Sequence, residues 1–302
     1  MKLLAAYIMR GRMQAILVTA VAALLSLLLP PFSYFSGAAL GLVTLRTGPR
    51  SGLTVFAGAL LAVGLLAAVI LQQPLIAAGF AIVLWLPVLA LATVLQQTVS
   101  LSRTVALSGL FGVLLVLGAY FVLEDPAGWW METYRQLLAQ AGTQAPGPEM
   151  EPVLREVAGI MTGAVAAALT LSIVGALFIA RWWQALLYNP GGFREEFHRL
   201  ALGRSLTLVA LVLMGAAIVL GDPAAALAAE LLVVVMLLFL INGLAVVHGL
   251  VARIGAGIGW LIAVYLMLLL ALPQTAVTLA VVGLVDNWFG FRTYFGRSED
   301  NK

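Results

Sequence analysis

No cysteine occurs anywhere in the chain. That excludes disulfides, thiolate metal ligands and a cysteine nucleophile. Charge is nearly as scarce: 10% of the 302 residues are Asp, Glu, Lys or Arg, against 63% hydrophobic, where a soluble domain carries about 25% charged residues. A chain of mean hydropathy +1.09 cannot cover itself with a wettable surface. No catalytic signature is present either: there is no G-x-S-x-G, H-E-x-x-H, G-x-x-x-x-G-K-[ST] or strand-flanked G-x-G-x-x-G. Ser108 before Gly109, with His248 far along the chain, gives only a weak serine-hydrolase pairing. The sequence therefore reads as a non-enzyme with no cofactor and no metal site. The net charge of +3 and pI of 9.4 are assigned to basic loops that orient the chain in a membrane, not to nucleic acid.

Apolar runs are present along the whole length. Glycine, proline and charge divide them into ten helical segments, at about 13–30, 33–46, 52–71, 75–96, 104–123, 154–180, 204–221, 224–250, 257–272 and 275–289. The expected fold class is all-α, a polytopic transmembrane bundle of about 8–10 spans in a bacterial inner membrane, with the lipid bilayer as its first partner. No A-x-A site follows the first run, which is read as a retained span. If all ten segments cross and the N-terminus is cytoplasmic, 14 of the 16 basic residues fall inside, leaving Arg135 and Arg155 outside. If 33–46 were re-entrant, five would remain inside. The positive-inside rule selects the first map, N-in and C-in. The turn "LRTGPRSGL" (45–53), with Arg46, Gly48, Pro49 and Arg50, is then cytoplasmic.

Three regions emerge: a six-span membrane domain over 1–188, a cytoplasmic amphipathic linker over 189–203, and a four-span region over 204–292 followed by a tail, 293–302. Within the first, 124–153 is a long outer loop. Its Trp129, Trp130, Tyr134, Leu137 and Leu138 share one helical face, as expected of an interfacial helix, and a Pro/Gly/Gln-rich stretch follows. The loop 181–204 holds the aromatics Trp182, Trp183 and Tyr188, the breaker Asn189–Gly192 with Gly191, and the charged residues Glu195, Glu196 and His198. That spacing suits a solvated helix better than a closed metal site. Small residues four apart recur at Gly37/Gly41, Gly159/Gly163/Ala167, Gly255/Gly259 and Ala15/Thr19/Ala23, as at close helix crossings.

Ionisable groups inside the apolar segments are Glu230, His248 and Asp286, with Asn242 as a polar neighbour. Glu230, Asn242 and His248 are candidates to line a cavity, because a carboxylate at bilayer depth costs several kcal/mol unless it faces a partner or water. For Glu230, snorkelling to the outer surface is an equal alternative. Asp286 is expected to pair with Arg292 at a helix exit marked by Trp288 and Phe289.

"LPPFSYFSGAALGLVTLRTGPRSGLTVFAGALLAVGLL" resembles the opening of the substrate-binding S components of energy-coupling-factor vitamin transporters, through Leu45, Gly48, Pro49, Arg50 and Gly52. Over nearly its full length, through "YNPGGFREEFHRL", "NGLAVVHG" and "GLVDNWFGFR", the chain resembles the YybS-like family of bacterial membrane proteins, grouped with that superfamily. The resemblance implies an S-component-like fold for the first six spans, and a small-molecule binding or transport subunit working with an ATP-hydrolysing energising module. It departs from the S components in four extra spans and in a degenerate Ala15/Thr19/Ala23 docking ridge, and it carries over no ligand residues. Two other readings stand beside it. One is a scaffold acting on a membrane partner through loop 181–204; the other is a proton-coupled transporter using Glu230, His248 and Asp286.

Overall fold

The computed structural model describes residues 1–142 and 147–291. Arg292 and the tail 293–302 lie outside the described residues, as do 143–146. Among those described, all regular structure is helical. In chain order the helices are α1 (Lys2–Ile8), α2 (Arg12–Ser26), α3 (Phe32–Thr47), α4 (Pro49–Leu71), α5 (Leu75–Thr98), α6 (Leu101–Val122), α7 (Pro126–Gln140), α8 (Glu151–Tyr188), α9 (Gly192–His198), α10 (Arg204–Val219), α11 (Ala224–Arg253), α12 (Gly259–Leu270) and α13 (Leu272–Phe289). Five of them, α4, α5, α6, α8 and α11, are long and apolar enough to cross a bilayer. The chain is a helical membrane protein.

Helix ends differ from the sequence reading where proline starts a helix instead of breaking it. Pro49 occupies the first turn of α4, where a missing N–H costs nothing. The 45–53 turn thus contracts to Gly48, whose φ of +98° suits glycine. Pro273 likewise sits in the first turn of α13, which moves the joint between the last two helices back to Ala271. Inside α5, Pro87 removes one N–H and crowds the preceding turn. The helix widens into a π turn over Ala81–Trp85 just before it. α8 is longer than the segment 154–180, with 38 residues and a length of about 57 Å at 1.5 Å per residue. Trp182, Trp183 and Tyr188 are therefore helical residues rather than loop residues. The sequence reading did not mark α1, whose Ala5 and Ile8 are buried.

By contact density the chain forms two compact units. The first comprises Met1–Ser108 and Leu171–Leu200; the second comprises Gly109–Thr170 and the chain from Ala201 onward. This division differs from the sequence-derived regions 1–188, 189–203 and 204–292. Residues 109–170 cluster with the C-terminal helices and 189–200 with the N-terminal ones, because long helices take neighbours in space and not in chain order.

In the first unit, α3 is the buried element: every residue from Ser36 to Leu45 is buried. A helix apolar on all sides demands such a place. Its glycines admit α8 closely. A Cβ on Gly37 would stand 2.8 Å from the Ala176 methyl, and one on Gly41 would stand 2.9 Å from that of Ala180. Polar groups fasten the other side: the Trp85 indole N–H donates to Ser36 Oγ at 2.9 Å, and Ser36 donates to the Thr19 carbonyl at 2.8 Å. Ala15, Thr19 and Ala23 are fully buried, so that small-residue ridge is used in packing within the unit.

In the second unit, α11 is the buried element, and α13 lies against it. A Cβ on Gly243 would overlap the Leu279 carbonyl, and one on Gly283 would overlap the Phe239 carbonyl. Only glycine at both positions allows this backbone-to-backbone approach. Across the crossing, Asn242 Nδ2 donates to the Gly283 carbonyl at 2.7 Å. Gly163 of α8 meets α11 in the same way, at the backbone of Glu230. Gly159, Gly255 and Gly259 face open space, so those spacings mark no crossing in this chain.

Candidate functional site

Glu230 stands about two turns into α11, 1% exposed. Its neighbourhood is built by three other helices of the same unit. Gly163 brings the α8 backbone against that of Glu230, to within 2.6 Å of where a glycine Cβ would lie. One residue earlier, Thr162 is the hydrogen-bonding neighbour of the Glu230 carboxyl. Thr162 Oγ1 also accepts the indole N–H of Trp130 from α7 at 3.0 Å. Tyr120 of α6 lies within electrostatic reach of the carboxylate and packs on the apolar cluster of Val116, Ala166 and Val234. Glu230 Oε2 has no hydrogen-bond partner among the described residues.

Local sequence explains how Trp130 comes inward. The Asp125 carboxylate caps α7 by accepting the Gly128 N–H at 3.0 Å, and Pro126 opens the helix. Arg135 and Arg155 both reach Glu151, which ties α7 to the start of α8. Trp129 remains exposed, edge-on to Trp130 at 4.8 Å. A helix, Pro126–Gln140, forms within the segment 124–153, and it supplies an indole donor to the Glu230 surroundings.

The other candidates separate by role. Asn242 is fully buried and joins α11 to α13. His248 Nδ1 lies 2.9 Å from the Leu244 carbonyl, and Nε2 lies 3.4 Å from the Tyr265 hydroxyl of α12. The Leu244 carbonyl can only accept, so Nδ1 is the donor in that contact. Asp286 is buried, 4% exposed; its expected partner Arg292 falls outside the described residues. Beside it, Asn287 Oδ1 accepts the Gly203 N–H at 3.3 Å, and Arg204 stacks over Trp288. Ser108 donates to the Val105 carbonyl of its own helix.

In the first unit, the two charged segments singled out in the sequence come together. Arg46, from the 45–53 turn, stacks over Tyr188 at 4.2 Å. Arg181 donates from Nε to Glu196 at 2.9 Å and from Nη2 to the other carboxylate oxygen. Phe193 and Phe197 of α9 pack on Phe178. α9 thus docks one face on α8 and leaves Arg194, Glu195 and the adjoining Arg199 exposed. Arg46, Asn189 and Glu196 line one cavity of about 300 Å³ with Arg181 and the amides of Gln96 and Gln184. Arg50 and Glu195 are exposed and do not line it. Gly191 supplies the positive φ, +90°, that turns the chain into α9, and the Gly192 Cα lies against the Asn189 amide. The sequence offered no signal for the participation of Gln96 and Gln184, since glutamines near helix ends are common.

Comparison with models of known protein families, with curated proteins and with solved structures gives no match for this chain.

Proposed function

We propose that this protein is a small-molecule binding or transport subunit of a bacterial inner membrane, with Glu230 as the group that receives the charge of the ligand. One observation carries the reading: a carboxylate deep in an apolar helix, 1% exposed, with one oxygen lacking a protein partner. Such a group costs several kcal/mol unless it is neutralised. The neighbours Thr162, Tyr120 and Trp130 provide no cation, so the chemistry that fits is an ammonium group or a proton arriving from outside the protein. Ten crossings with both termini cytoplasmic belong to this proposal, as does the kinship to S components and an energising partner suggested by the resemblance.

The test is thermal stabilisation of the protein in lipid nanodiscs by a panel of protonated amines and vitamins. Saturable stabilisation by one member, lost in Glu230→Gln, is the expected result; no stabilisation by any member, with no co-purifying ATPase, overturns it. Proton-coupled transport is separated by flux that collapses with the pH gradient. The scaffold reading draws on a separate observation, the exposed Arg194, Glu195 and Arg199 of the docked α9 region. Crosslinking in cells that is unchanged by reversing those three charges removes it.

A further inference from the structure

The cavity of the first unit has its own chemistry, independent of Glu230. Three helices end on it: α3 at Leu45 and Arg46, α5 at Leu95 to Val99, and α8 at Gln184 to Asn189. Helix C-termini carry partial negative charge that disfavours an anion. The Arg46 guanidinium opposes them, while that of Arg181 is already engaged by Glu196.

The placement of the donors matters further. Gln184 Nε2 donates to the Leu45 carbonyl at 3.2 Å, which covers one of the helix ends. Arg181, with a side chain 12% exposed, is fixed by both oxygens of Glu196, so a carboxylate of the chain already occupies its fork. The Arg46 guanidinium lies over the Tyr188 ring at the cavity edge. The side chains of Gln96 and Asn189 also line the cavity. At the rim Val99 adopts φ +49°, a left-handed conformation that a β-branched residue enters only at a cost.

We infer that this cavity binds a phosphate-type anion between Arg46 and the amide donors, with Glu196 acting as an internal competitor on Arg181. A phosphate ester is the class that fits: tetrahedral, several acceptor oxygens, and compatible with a planar guanidinium. The same group is offered by an anionic lipid headgroup and by a soluble phosphate ester, and the experiment separates them.

The intact protein is placed in phosphatidylcholine nanodiscs and titrated with inorganic phosphate and with glycerol 3-phosphate, stability being the readout. In a parallel arm, phosphatidylglycerol replaces part of the lipid and no soluble phosphate is present. Saturable stabilisation in the first arm identifies a soluble ester, and in the second a headgroup. In whichever arm responds, Arg46→Gln is expected to weaken binding roughly tenfold, the loss of one charge-assisted contact. Arg50→Gln, an equally basic neighbour outside the cavity, is expected to change it less than about twofold. Glu196→Gln is expected to tighten binding severalfold, a gain that misfolding cannot imitate. No saturable response in either arm, equal losses in the two arginine variants, or weaker binding in Glu196→Gln overturns the inference.

Discussion

The two units differ in where a charged group is set deep within a helix. In the first, charge stands at helix ends and arrives with a partner: Arg181 with Glu196, Arg46 with Tyr188, the Gln184 amide with the Leu45 carbonyl. In the second, a carboxylate stands inside a helix with one oxygen unmatched, held where it is by backbones that approach through glycine. The difference teaches where a membrane chain can place charge cheaply. At helix termini the unsatisfied carbonyls and nearby water compensate a cation. Within the span the Glu230 carboxyl has Thr162 as its hydrogen-bonding neighbour, so its retention there points to a role other than stability.

The largest break in that comparison is expected at the glycine crossing. Gly283→Ala forces a methyl into the Phe239 carbonyl and should cost about 3 kcal/mol, read as a drop in melting temperature in nanodiscs. Gly259→Ala, where open space surrounds the Cα, should change little. A smaller contrast follows for the two charged places. Arg181→Met strands the Glu196 carboxylate and should destabilise by about 2 kcal/mol, whereas Glu230→Gln removes an uncompensated charge and should leave stability unchanged or raised. Equal losses in the two variants would mean that Glu230 has a structural counter-charge and would erase the distinction between the units.

Next in size, Trp130→Phe keeps the ring and removes the N–H donated to Thr162. About 1 kcal/mol should be lost, together with any ligand response that depends on Glu230. Smallest is Val99→Gly, which relieves the left-handed backbone at the cavity rim and should stabilise by about 1 kcal/mol. If it also weakens anion binding, the strain belongs to the site; if binding is untouched, it belongs to the helix end alone.

Helix positions were readable because they depend on short-range properties. The run 33–46 appears as Phe32–Thr47 and 224–250 as Ala224–Arg253, since apolar length, Gly48 and the prolines act within a few residues of themselves. The misplacements share that origin: Pro49 and Pro273 read as breaks although each also suits a first helical turn. Pairing was harder to read. Gly255/Gly259 and Gly37/Gly41 have the same spacing, yet only the second pair meets a neighbouring helix. Asn242 read as a cavity residue, and its amide joins two backbones.

The sequence by itself determined that this is a helical membrane chain, roughly where each helix runs, and that Glu230, His248 and Asp286 are the ionisable groups inside its apolar runs, because hydropathy and backbone preference are local. Tertiary structure alone decided that Arg46, Arg181 and Glu196 share a cavity, that Trp130 serves Thr162 beside Glu230, and that Gly243 lies against α13. Those contacts join residues far apart in the chain, and a helix periodicity repeated in every span does not specify which faces meet.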